Sequence, residues 1–211
     1  MSKECCNAGD NCTEQAPLVT FYQTIDASVA ARLKNIRLVV FDVDGTLTEG
    51  GIFLDRGENE LKCFNCQDGM GIALLNKAGI EVAIITGRNS PLTERRAREL
   101  RIAHIIQGSH DKATALAQIW EKTGLSSLQT AVMGDDINDI PLFDNAAISA
   151  SPSDGYHYML CKADIRLTRR GGKGAARELC DLILMAQGHV GTDGRPDLLL
   201  GKTGDDKPTA Q

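Results

Sequence analysis

Apolar and polar positions along the chain fall into two alternating kinds of run. Short β-branched or continuously apolar runs fit buried strands: Ile36-Arg37-Leu38-Val39-Val40-Phe41, Val82-Ala83-Ile84-Ile85, residues 102–106, Thr130-Ala131-Val132-Met133, Ala147-Ile148-Ser149 and residues 163–167. Helical spacing occupies residues 25–33 and the intervals near 69–78, 91–100, 111–123, 138–144, 154–161 and 173–187. Strand and helix in alternation predict a Rossmann-like, doubly wound α/β fold, a parallel sheet covered on both faces. Its ligand crevice is expected beyond the carboxyl ends of the strands.

Residues 50–65 interrupt this rhythm between the first strand and its helix. Ile52-Phe53-Leu54, the turn-rich stretch 55–59 and a second strand over 60–65 predict a β-hairpin flap standing over the crevice. No insertion is long enough for a separate cap domain. Residues 1–22 lack periodicity and are expected to be a disordered or loosely attached extension. The core domain is expected to span 23–188, and the Gly-, Asp-, Lys- and Pro-rich residues 189–211 are expected to form a flexible tail, with Leu198-Leu199-Leu200 as its apolar patch.

Composition narrows the partners. The 211 residues carry a formal charge of −5 without a sustained basic stripe, which disfavours nucleic acid. No apolar run is long enough to span a membrane, and the start of the chain lacks a signal-peptide plan, so a cytoplasmic location is the expectation. The seven cysteines then read as free thiols. Cys63 and Cys66 have CxxC spacing, but residues three apart on a strand point to opposite faces and chelate poorly. Cys5, Cys6 and Cys12 lack the second ligand pair of a structural zinc site.

Four polar clusters fall where strands end. Asp42-Val43-Asp44-Gly45-Thr46 follows the strand 36–41, and a turn at Gly45 lets both carboxylates face the crevice. Like charges this close call for a shared proton or a cation, and Mg²⁺ suits oxygen ligands beside a phosphate. Thr86-Gly87-Arg88 offers a hydroxyl and backbone N–H groups as a phosphate cradle. Lys112, opening a helix, can neutralise a phosphate. In Gly134-Asp135-Asp136-Ile137-Asn138-Asp139, either Asp135 or Asp136 can complete a metal shell, and Asp139 is placed to orient Lys112. Each cluster alone is ordinary turn or capping chemistry. All four at one sheet edge are hard to explain that way.

This ordered set resembles the four-motif pattern of the haloacid dehalogenase superfamily. The resemblance implies a HAD-like fold and a Mg²⁺-dependent phosphomonoesterase. Asp42 would be the nucleophile that forms an aspartyl-phosphate, and Asp44 the acid and base. Thr86 would hold the phosphate with Gly45 and Gly87 beside it, and Lys112 would stabilise the intermediate. Mg²⁺ would lie on Asp42, Asp135 and the backbone carbonyl of Asp44, with Asp136 and Asp139 supporting these groups.

Residues 31–38, 79–88 and 172–184, the hairpin and Asn65…Asp68-Gly69-Met70-Gly71 extend the likeness to the 3-deoxy-D-manno-octulosonate 8-phosphate phosphatases. This implies a sugar-acid phosphate substrate on the route to lipopolysaccharide, Arg88 as the cation for its carboxylate, and a homotetramer whose flaps close neighbouring sites. Three positions depart from that family's pattern. Cys66-Gln67 stands for Val-Arg, the fourth motif reads Asp-Ile-Asn-Asp, and Lys173 replaces an Arg.

The alternatives are a phosphatase of a nine-carbon, sialic-acid-type 9-phosphate, a receiver domain and a silent binding subunit. Gln67 favours the first and Arg88 opposes it. The order of the acidic motifs opposes a receiver, and the intact polar set opposes a silent subunit.

Overall fold

The computed structural model describes residues 16–57 and 60–195. A short antiparallel ribbon, β1 (Leu18–Val19) and β2 (Thr24–Ile25), leads into helix α1 (Ala27–Leu33). The chain then runs β3 (Leu38–Phe41), β4 (Phe53–Leu54), β5 (Glu60–Leu61), α2 (Cys66–Lys77), β6 (Glu81–Ile85), α3 (Pro91–Glu99), β7 (His104–Ile106) and α4 (Lys112–Thr123). After a 3-10 turn come β8 (Thr130–Met133), a second 3-10 turn (Ile137–Asp139), α5 (Ile140–Phe143), β9 (Ile148–Ser151), α6 (His157–Lys162), β10 (Ile165–Arg166) and α7 (Ala175–Ala186).

Six of these strands form one parallel sheet in the order β10-β9-β8-β3-β6-β7. β3 is central, and all four of its residues are buried. Alternate side chains enter opposite layers, as a pleat requires. Val39 and Phe41 pack with residues of α1, α2, α3 and α7, while Leu38 and Val40 pack with Ala115, Leu116 and Ile119 of α4, Leu142 and Met159. The doubly wound expectation holds. The chain steps outward from β3 to β6 and β7, then returns to β8 on the other side. Asp42 and Gly134-Asp135 therefore leave adjacent strands at the point where the winding reverses, the place such sheets bind ligands.

β4 and β5 pair antiparallel, Phe53 with Leu61 and Leu54 with Glu60. The second strand of this hairpin is shorter than the predicted 60–65. Asn65 caps α2 by accepting from the Gln67 N–H at 2.7 Å, so Cys66 begins a helix rather than ending a strand. Among the described residues no other insertion separates β3 from α2, and no helix is long and apolar enough to cross a membrane.

Both expected domain boundaries move outward. Residues 18–22 are docked: Leu18 and Tyr22 pack on the core, and the Tyr22 hydroxyl donates to Asp181 at 2.9 Å. At the other end Val190 is buried, and the Thr192 carbonyl accepts from the Phe21 N–H at 3.2 Å. Packing and main-chain bonding thus hold segments whose sequence lacks periodicity. Cys5, Cys6, Cys12 and Leu198-Leu199-Leu200 lie outside the described residues.

Candidate active site

Phe41 is the last residue of β3, and the Asp42 N–H continues the ladder by donating to the Met133 carbonyl at 3.0 Å. The nucleophile candidate is thus fixed by the sheet itself. Its Oδ1 accepts from the Lys112 ammonium at 2.7 Å, and the same ammonium reaches Asp139 Oδ1 at 2.5 Å. Lys112 is the first residue of α4, whose cap Asp111 accepts from the Thr114 N–H at 3.0 Å. The side chains of Lys112, Asp42 and Asp139 are 2%, 5% and 0% exposed. Asp139 also accepts through Oδ2 from the N–H of Asp135 at 3.1 Å and that of Asp136 at 3.4 Å. One carboxylate therefore contacts the lysine and also shapes the Gly134-Asp135-Asp136 turn.

Asp135 and Asp136 have different tasks. Asp136 is exposed and caps the 3-10 turn, accepting from the Ile137 N–H at 2.7 Å. Asp135 faces inward and accepts from the Thr46 hydroxyl at 3.3 Å. Carboxylate oxygens of Asp42, Asp135 and Asp139 lie within 4.8 Å of one another. Gly45 permits this approach. It has φ of +91°, and a Cβ there would stand 2.1 Å from Asp135 Oδ2.

The electrostatics of this corner ask for a cation. Burial raises the Asp42 pKa to about 7, with the Asp139 charge adding and Lys112 opposing. Asp135 is likewise raised to about 7, first by burial and then by the charges of Asp42 and Asp139. Burial also raises Asp139 against the pull of Lys112. Lys112 itself is raised, because Asp42 and Asp139 outweigh the lowering effect of its burial. Two inward-facing carboxylates that resist ionisation together fit a hard divalent ion. Both Asp139 oxygens already have donors, so Asp42 and Asp135 are the side chains left to hold one.

Thr86 continues β6, donating its N–H to Ile106 at 3.0 Å, and its hydroxyl accepts from the Arg88 N–H at 3.4 Å. A cleft of about 240 Å³ is lined by Asp42, Asp44, Thr86, Gly87, Arg88, Asp135, Asp136, Ile137 and Asn138. Every candidate from the sequence except Gly45, Lys112 and Asp139 borders this cleft, and those three support it from behind. The Asp44 carboxylate is not among the clustered oxygens of Asp42, Asp135 and Asp139. Lys62 grips its Oδ1, and Arg88 Nε stands 3.8 Å from Oδ2. Any share of Asp44 in the metal therefore falls to its main chain.

Two further groups support the cleft, and the first escaped the sequence reading. Glu60 and Lys62 come off the flap's second strand. Glu60 accepts from Arg88 at 3.0 Å and from the Ser90 hydroxyl at 2.6 Å. Their spacing of two, which puts both on one strand face, was the available signal. The loop Gly171-Gly172 is the other. It packs on the Asp42–Thr48 turn so closely that a Cβ at Gly171 would lie 1.8 Å from the Gly45 carbonyl oxygen. The Gly172 N–H donates to Thr46 at 3.0 Å, and Lys173 pairs with Glu49 at 2.7 Å.

Comparison with known proteins places this geometry. Residues 99–168 match the family model of haloacid dehalogenase-like hydrolases. The 3-deoxy-D-manno-octulosonate 8-phosphate phosphatase KdsC of Escherichia coli K12 is 41% identical over 175 residues, covering 83% of this chain and 93% of its own. A crystal structure of the Yersinia pestis phosphatase of the same name is similar with a TM-score of 0.81 and 39% identity, over 89% of this chain and 97% of that one. The Moraxella catarrhalis phosphatase, solved with a magnesium ion, a phosphate ion and a KDO molecule, is similar with a TM-score of 0.75 and 42% identity, over 76% of this chain and 92% of that one.

Proposed function

The chain belongs to the 3-deoxy-D-manno-octulosonate 8-phosphate phosphatase family of the haloacid dehalogenase-like hydrolases, and from that premise we propose how its residues divide the work. The enzyme is a Mg²⁺-dependent phosphatase of 3-deoxy-D-manno-octulosonate 8-phosphate. The observation that carries the residue assignment is the inner corner: a buried aspartate 2.7 Å from a buried lysine, with a second inward-facing aspartate beside it.

Asp42 is the nucleophile. One of its carboxylate oxygens attacks phosphorus, and the bond from phosphorus to the sugar oxygen breaks. Asp44 gives its proton to that leaving oxygen. In the second half Asp44 takes a proton from water, whose oxygen attacks phosphorus and releases Asp42 and inorganic phosphate. Thr86 and the backbone at Gly45 and Gly87 cradle the phosphoryl oxygens. Lys112, pinned by Asp139, offsets charge next to the nucleophile. Mg²⁺ would be held by Asp42, Asp135 and the Asp44 main chain, and when bound it offsets the charge of the phosphoryl group.

Arg88 receives the carboxylate of the sugar acid, a role for which a planar guanidinium is suited. The assembly is a homotetramer in which flaps cover neighbouring sites. Supporting this, Ile52, Phe53, Leu54 and Leu61 of the hairpin are 55–66% exposed, apolar side chains that favour a partner. The setting is cytoplasmic, on the route to lipopolysaccharide precursors.

The test is a comparison of kcat/KM with Mg²⁺ on the octulosonate 8-phosphate, a nine-carbon sugar acid 9-phosphate and an aryl phosphate. The octulosonate ester is expected to lead by at least ~10-fold, the discrimination a few well-placed polar contacts supply. Equal values on the two sugar acids would defeat the specific assignment, and a lead for the nine-carbon ester would support the reading that Gln67 favours.

A further inference from the structure

The flap does more than overhang the cleft. Its two paired segments are two residues each, and Phe53, Leu54 and Leu61 turn outward to solvent. What ties it to the body is polar. Lys62, just past β5, has a side chain only 4% exposed, and its ammonium reaches both Asp44 Oδ1 and, at 3.5 Å, Glu60 Oε1. Glu60 in turn holds Arg88 and Ser90 of the loop after β6.

Asp44 thus has cationic neighbours on both oxygens, but they are not equivalent. Arg88 is 44% exposed and 3.8 Å from Oδ2, whereas Lys62 is enclosed and in direct contact with Oδ1. An exposed arginine can swing to an incoming carboxylate. An enclosed lysine braced by Glu60 stays. Burying an ammonium is costly unless its partners are fixed, so this pairing holds geometry rather than adding stability.

We propose that Lys62, braced by Glu60, is the positioning residue for Asp44, holding Oδ1 so that Oδ2 faces the leaving oxygen of the ester. The inference rests on the acid role of Asp44 given above. It makes the flap's second strand part of the catalytic apparatus of its own subunit.

Leaving-group dependence tests it. An alkyl sugar phosphate needs its leaving oxygen protonated, whereas 2,4-dinitrophenyl phosphate expels a stable phenolate without help. In the Lys62→Met variant, kcat/KM on the sugar ester should fall ~100-fold while that on the dinitrophenyl ester falls less than ~3-fold, since misplaced acid catalysis forfeits factors of this size. Lys62→Arg should recover part of the loss. Glu60→Gln should show the same split at smaller amplitude, which keeps the test open if Lys62→Met does not fold.

Equal losses on both esters, or none, would overturn the positioning role. Asp44→Asn serves as the control. If it shows the leaving-group split and Lys62→Met does not, only the present inference fails. If Asp44→Asn itself lacks the split, the acid assignment falls and this inference with it.

Discussion

Asp42, Lys112 and Asp139 have side chains at most 5% exposed, whereas the Arg88 side chain is 44% exposed and Phe53, Leu54 and Leu61 are more than 60% exposed. The inner corner is fixed by a sheet ladder and a helix start, so its geometry is complete within one chain. The rim is held by a few polar contacts and presents apolar surface outward. The contrast implies a division of labour. Changes in the corner should affect every phosphate ester alike, and changes at the rim should affect only the sugar acid.

The largest effect is expected from Asp42→Asn. The neutral amide is nearly the same size and keeps the cleft shape, but it cannot attack phosphorus. Turnover on the octulosonate ester and on an aryl phosphate should both fall by ~10⁴-fold or more, as when a covalent nucleophile is removed elsewhere. Steady-state assay of the purified variant reads this directly. Near wild-type activity on either ester would dissolve the distinction between corner and rim.

A second expectation concerns stability of the corner. Asp42 and Asp135 have pKa values raised from 3.8 to about 7, chiefly by burial. The folded protein holds these protons to higher pH than the unfolded chain does. Their contribution to stability is therefore intact below pH ~4 and, without metal, is lost as pH rises from ~4 through ~7. A divalent ion reverses that loss once the carboxylates are ionised. The gain in melting temperature on adding Mg²⁺ to EDTA-treated protein should be small at pH 5 and largest near pH 8. At a hundredfold excess over Kd the gain corresponds to about 2.7 kcal/mol. A Mg²⁺ effect that is flat across that range would mean the ion binds elsewhere.

The corner was also the part most legible in the sequence, and the reason is physical. In a parallel sheet the strand ends converge, so polar residues directly after apolar runs must meet. Asp42, Thr86 and Asp135 follow that rule. The spacing of Lys112 and Asp139 from those ends left little freedom either. Between Asp135 and Asp136 the residue pattern left both open, because either could turn inward; in the fold Asp136 caps the 3-10 turn and Asp135 lies with Asp42 and Asp139.

The rim obeys no such rule. Whether Lys62 returns to Asp44 depends on how a short hairpin folds over the preceding turn, and hairpin direction leaves no periodic trace. Gly171-Gly172 reads as a polar loop until its backbone is seen against the Gly45 carbonyl. The ribbon of β1 and β2 has strands of two residues, too short for alternation to register. Tyr22 is fastened to Asp181, 159 positions further on, and Val190 by its place in the core, neither of which a local pattern foretells.

The smallest of these effects should come from Arg88→Lys, and it tests the rim most directly. Arg88 is engaged by Glu60 at 3.0 Å through one guanidinium nitrogen and approaches Asp44 through another. A lysine keeps the positive charge that offsets Glu60 and leaves the Thr86-Gly87 backbone unchanged. It loses the planar fork that can accept a carboxylate through two parallel bonds. The sugar acid should therefore bind less tightly, with KM raised ~10-fold and kcat within ~3-fold of wild type, the pattern of an interaction equal in ground and transition states. An aryl phosphate has no carboxylate, and its KM should not move. A parallel rise in both KM values would place Arg88 on the phosphoryl group instead, drawing it into the corner and erasing the boundary at which chemistry and recognition separate.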